Sequence, residues 1–186
     1  DVDSIMITQN RKILIVYASQ FGSTGGIADA IKNELSNENT IVDTKPIKDV
    51  TDLVGYDAVI IGSPIQFDKW TPKAREFVRI HRDTLKQIPV AYFFTCMVLS
   101  LQTEKSKRQG QVYSEHLFNA FTDVKPLAIG KFSGALDLTR MSIFLRLAFR
   151  FIMALTGAKE GDHRDWNAIR AWSKGIDQRL SFVRES

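Results

Sequence analysis

The sequence is poor in the residues that would tie it together covalently or through metal. One cysteine, Cys96, in 186 residues excludes an internal disulfide and points to a reducing, cytoplasmic setting. The three histidines, His81, His116 and His163, are too scattered for structural-zinc spacing, so no metal is expected. No apolar run approaches the roughly 20 residues that cross a bilayer, and the start, DVDSIMITQN, is polar and acidic rather than a secretory signal. Repeats and low-complexity tracts are missing. Net charge is small: 25 Lys and Arg against 21 Asp and Glu leave +4, a mild bias toward an acidic partner or anionic lipid and no footprint for nucleic acid. Two nucleotide motifs are absent as well. Without GxxxxGKS/T there is no Walker lysine, and without GxGxxG no dinucleotide turn, which disfavours ATP, GTP and NAD.

What is present fits one domain over residues 1–186, with residues 1–10 as a flexible N-terminus. The chain is organised around Lys12 to Leu35. There, an apolar β-branched run (Ile13, Leu14, Ile15, Val16) passes through a hydroxyl- and glycine-bearing loop into Ile27, Ile31 and Leu35 at helical spacing. The order is strand, loop, helix. Thr40 to Pro46 alternates as a short edge strand, and Ala58 to Ser63 reads as a central strand buried on both faces. A loop, SPIQFDKW, follows. Thr71 then caps a helix with Pro72 at its first position and Ala74, Phe77, Val78, His81 and Leu85 along one face. Pro89 to Cys96 is the next strand, and MVLSLQTEKSKRQG reads as a loop before a short helix from Val112 to Phe121. Leu127 to Leu138 is a strand bent at Gly130 and Gly134, and Asp165 caps a last helix through Ile169, Trp172, Ile176 and Leu180. Strands alternating with helices imply right-handed crossovers and a parallel sheet covered on both faces. Between the fifth strand and the last helix lies an extra apolar helix within 139–160, carrying Arg146 and Arg150.

The loop after the first strand, Ser19, Gln20, Phe21, Gly22, Ser23 and Thr24, gathers hydroxyls, backbone N–H groups and a helix N-terminus at one spot. That set suits a dianionic monophosphate held without a basic residue in the loop, and FMN is the natural fit. In an open parallel sheet the ligand lies beyond the strand C-termini at the switch point, between strands one and three. This adds Ser63, Pro64, Ile65, Gln66, Phe67 and Trp70, with Phe67 or Trp70 covering the flavin ring unless they pack on the following helix. It also adds Thr95, Cys96, Met97 and Val98, whose backbone can meet the ring's polar edge. Asp68 and Lys69 read as solvated loop charges, and Cys96 as a buried strand-end residue. No catalytic side chain is named, because a flavin can accept hydride while water or a backbone group takes the proton.

On these residues the chain resembles the flavodoxin family, with Phe21 standing where electron-carrier flavodoxins have a hydroxyl. Its basic pI near 9.2 and the lack of a second ring-stacking tyrosine in MVLSLQTEKSK set it apart from those carriers. It is more similar to the flavodoxin-like, menaquinone-dependent protoporphyrinogen oxidase family. The likeness runs through the loop-helix start, VIIGSPIQF, SGALD, the inserted helix ending MALTGA, and Asp165-Trp166. The resemblance implies a doubly wound, five-stranded sheet in the order 2-1-3-4-5. It also implies FMN-dependent two-electron oxidation of a porphyrinogen, with a quinone or redox protein as acceptor. The inserted helix, Ile143 to Leu155, then meets the inner face of a membrane, its own domain or a partner copy in a homodimer. An NAD(P)H or quinone reductase, a flavodoxin-like electron carrier, and a binding domain without flavin stay open as alternatives.

Overall fold

The structure, a computed structural model, describes residues 10–19, 22–136, 142–156 and 161–185. Residues 1–9 of the expected flexible stretch, the end of the expected fifth strand at 137–138, and both ends of the insert, 139–141 and 157–160, lie outside the described residues.

Five parallel strands form the centre: β1 (Arg11–Tyr17), β2 (Thr40–Pro46), β3 (Ala58–Gln66), β5 (Val90–Thr95) and β6 (Ile129–Phe132), in the order β2-β1-β3-β5-β6. This is the expected 2-1-3-4-5 order, because the short β4 (Lys69–Trp70) only pairs back on β3. Period-2 alternation explains why both faces are dry. Ile13 and Ile15 of β1 point to one side, where they meet α1 (Ser23–Leu35) and α6 (Trp166–Glu185) through Ile27, Ile31, Ile169 and Ile176. Leu14 and Val16 point to the other, against α2 (Pro72–Ile80), α3 (Arg82–Leu85) and α4 (Glu104–Ala120) through Phe77, Val78, Leu85 and Leu117. The close fit between central strands needs Gly62, since a Cβ there would fall 2.0 Å from the Phe93 ring. The expected caps form: Thr71 Oγ1 accepts from the Ala74 N–H at 3.4 Å, and an Asp165 carboxylate oxygen accepts from the Ala168 N–H at 3.0 Å.

Four expectations are corrected. SPIQFDKW is not an open loop: β3 runs on to Gln66 and turns back through Phe67 and Asp68, both at positive φ (48° and 63°), into β4. Paired positive φ values make the two-residue turn whose twist matches the flanking strands, usually signalled by glycine or asparagine. The polar stretch before Val112 is not all loop, because Thr103 accepts from the Ser106 N–H at 3.1 Å and starts α4 at Glu104. The helix from Pro72 breaks at His81, whose ring sits 4.5 Å from that of Phe77. The strand expected over Leu127 to Leu138 is two: β6 ends at Phe132, and β7 (Ala135–Leu136) leaves the sheet to pair antiparallel with β8 (Gly161–Asp162). That two-stranded neck carries the insert, α5 (Ile143–Thr156).

Candidate functional site

At the C-terminal ends of β1, β2 and β3 a cavity of about 720 Å³ opens, lined by Tyr17, Ser19, Gly22, Gly25, Gly26 and Gln66, with Lys48 and Lys73 also at its wall. The loop after β1 builds its floor. Gly22, at φ 90°, takes a left-handed conformation that a side chain would strain, and its N–H donates to Ser19 Oγ at 2.8 Å. Among the described residues no side chain caps α1, and its first turn holds no acidic residue, so its leading N–H groups and the positive end of its dipole are open to an anion at the cavity. Gly25 keeps the wall clear: a Cβ there would lie 3.1 Å from the Tyr17 ring. This donor set could hold a phosphate such as that of FMN, through Ser19 and the N–H groups that open α1.

The hydroxyls divide. Thr24 is buried and its Oγ1 meets Thr95 Oγ1 at 3.3 Å, fastening α1 to the end of β5. Ser63 is buried too; its Oγ accepts from the Thr71 N–H at 3.2 Å and donates to the Pro64 carbonyl, so it ties β3 to the cap of α2. Ser23 stays near the surface of the fold. A Cβ on Gly134 would lie 3.6 Å from both Ser23 Oγ and Met97 Sδ, so the phosphate loop, the turn after β5 and the start of the neck converge. Gln20 and Phe21 lie outside the described residues.

The aromatic pair divides as well. Trp70 is only 2% exposed and packs edge-on to Tyr92, with ring centroids 5.0 Å apart, and against Phe121. It is therefore a core residue, packed on β5 and the end of α4. Phe67, at the tip of the hairpin, is 98% exposed and free to cover a planar ligand. Beside it, Pro64 and Ile65 are half-buried, Met97 is half-buried and Val98 is exposed, so the two loops that flank the ring position present mixed apolar surface. Cys96 is buried and its thiol is pushed up by desolvation, which leaves it unreactive.

Two features had no sequence signal. Asp68 is not merely solvated: it accepts from the Tyr113 hydroxyl at 2.9 Å and clasps the hairpin tip to α4. Burial, and then that bond, push the Tyr113 phenol up to about 12. Arg164 pairs with Asp162 through two bonds of 2.7 Å, stacks on Trp166 at 4.4 Å, and reaches so close to α1 that a Cβ on Gly26 would lie 2.4 Å from its guanidinium. It sets a cation against the first turns of α1, brought there from 138 positions along the chain, a pairing no local pattern announces. Among the described residues no group of three or more metal-ligating side chains occurs.

Comparison with known proteins agrees with this geometry. A family model described as a flavodoxin domain matches residues 14–162. The protoporphyrinogen IX dehydrogenase (quinone) of Leishmania major is 30% identical over 176 residues, covering 90% of this chain and 75% of that protein. Its namesake from Escherichia coli K12 is 23% identical over 172 residues, covering 89% of this chain and 94% of that one. Among solved structures, a short-chain flavodoxin associated with a bacterial microcompartment superposes with a TM-score of 0.56. It is 11% identical and the match covers 91% of this chain and 99% of that one, a likeness of fold. The chain belongs to the flavodoxin domain family, as an FMN flavoprotein oxidoreductase of the group that holds the quinone-dependent protoporphyrinogen IX dehydrogenases.

Proposed function

We propose that this protein removes two electrons at a time from a porphyrinogen and passes them to a quinone, working from the cytoplasm at the inner face of the membrane. The observation that carries the reading is the 30% identity to the Leishmania dehydrogenase over 90% of the chain, more than a shared sheet core would need. The site supports it. Ser19, Gly22 and the start of α1 hold the phosphate, the turn after Thr95 meets the polar edge of the ring through backbone groups, and Phe67 shields one face. Bound FMN supplies an acceptor for hydride. Lys48 and Lys73, against a single Asp29, leave the cavity wall net positive, which favours the approach of an acidic substrate such as a porphyrin carboxylate.

The test is a pair of half-reactions under strict anaerobiosis. Protoporphyrinogen added to the FMN-loaded protein should bleach the yellow flavin, and a menaquinone analogue should then restore the yellow colour and, over three two-electron rounds, raise red porphyrin fluorescence. A flavin that stays oxidised with protoporphyrinogen, yet is reduced by NADPH, would replace this reading with a nicotinamide-dependent reductase. Reduction by a small redox protein alone would replace it with an electron carrier.

A further inference from the structure

We infer that α5 is an interfacial docking helix for an anionic lipid surface. This rests on the quinone reading above only for its purpose, since the physical case stands on the helix itself. Four-residue steps place Ile143, Leu147, Phe151 and Leu155 in one stripe, with Phe144 beside it. All five are between 60% and 83% exposed, an apolar band that water penalises and that none of the described residues covers. Arg146 and Arg150 each precede a stripe residue by one position, about 100° round the helix, so the cations flank the apolar band along one side. From Arg140 to Lys159 the sequence has four basic residues and no acidic one.

Length and charge choose the occupant. No helix among the described residues is long and apolar enough to cross a membrane, and 14 residues of α5 make only about 21 Å, short of the roughly 30 Å hydrocarbon core. The helix can therefore lie in the interface, apolar stripe down and arginines toward lipid phosphates. A second copy fits less well. Two such helices about 21 Å long and roughly 10 Å wide would bury a few hundred Å² per partner, under the roughly 800 Å² of a standard interface. Their arginines would also meet with no acidic residue on either helix to answer them.

The neck gives the docking a purpose. The chain leaves for α5 through β7 and returns through β8, Gly134 just before β7 lies against Ser23 and Met97, and the Ser133 hydroxyl donates to the His163 carbonyl across the base of the neck. Docking through α5 would tether the neck side of the site to a bilayer and to a quinone dissolved in it.

The experiment is flotation of the full chain, FMN-loaded, with vesicles of phosphatidylcholine alone or mixed with phosphatidylglycerol, at low and high salt. Binding to the mixed vesicles that weakens with salt is expected. The variant Phe144→Ser/Leu147→Ser/Phe151→Ser should bind roughly tenfold less or weaker still, since each lost side chain forfeits most of its transfer free energy. Arg150→Gln, which leaves the stripe intact, should bind roughly fivefold less to the anionic vesicles and be unchanged on neutral ones. Retained flavin absorbance and thermal midpoint would show that both variants fold. Failure of the parent chain to float, or equal flotation by the triple variant, overturns the inference. So does a parent dimer in sedimentation velocity that the triple variant converts to monomer without any vesicle binding, which would assign the face to a second copy. None of these outcomes touches porphyrinogen oxidation, which a water-soluble quinone analogue reads separately.

Discussion

Two apolar runs in this chain meet opposite fates. In β5, Val90 to Thr95, every residue is buried; in α5, a longer run of Ile, Phe, Leu and Met leaves its largest described side chains in water. Hydrophobicity is similar in the two, so it is position that separates them. β5 enters the sheet between β3 and β6 and receives helices on both faces, whereas α5 is an excursion between β7 and β8, outside the layers that could cover it. Apolar residues drive burial only where the topology supplies a partner. Where it does not, the exposed run marks a contact with something else.

That contrast can be broken first in the strand. Phe93 packs against Gly62, Phe132 and Trp172, and Phe93→Ala should cost about 3–5 kcal/mol, read as a lower denaturation midpoint at constant slope. A loss below 1 kcal/mol would mean the core yields as freely as the insert. The hairpin clasp lies between the two regions. Tyr113→Phe removes the bond to Asp68 and should cost about 0.5–1.5 kcal/mol while weakening FMN retention by freeing the turn that carries Phe67. Unchanged FMN affinity would detach the clasp from the site. In α5 the paired change Leu147→Ser/Phe151→Ser should move stability by no more than about 0.5 kcal/mol, since both side chains are already exposed.

The smallest expected effect is a pH slope. Burial holds the half-buried His81 imidazole below its ordinary 6.5, against a weaker opposing pull from Asp52. The unfolded chain therefore binds the proton first, so the stability this residue contributes is complete above pH 6.5 and falls as pH drops below it. His81→Phe should flatten the decline in midpoint between neutral and mildly acidic pH, and an unaltered slope would assign it to other groups.

The same division governs what could be read in advance. Runs such as Ile13 to Val16 and Ala58 to Ile61 declare central strands because burial on both faces permits little else, and Thr71-Pro72 and Asp165 declare helix starts through local hydrogen bonds. From those elements the phosphate loop follows, whereas the strand order comes with the family resemblance. The hairpin at Phe67 and Asp68 did not show, because it reaches positive φ without glycine or asparagine. Trp70 and Phe67 stand three residues apart with equal aromatic character, and only the reversal of the chain between them sends one into the core and the other to the surface. Thr24 and Ser63, expected as ligand hydroxyls, also fasten the fold, each answering a group on another element. Such pairings depend on tertiary proximity, which a local pattern does not encode.

The most direct test of the account is a crystal structure of the FMN-loaded chain. It should place the phosphate at Ser19, Gly22 and the start of α1, with Phe67 over the ring and Trp70 still packed on Tyr92. A phosphate seated away from α1, or a ring covered by Trp70 swung out of the core, would contradict it.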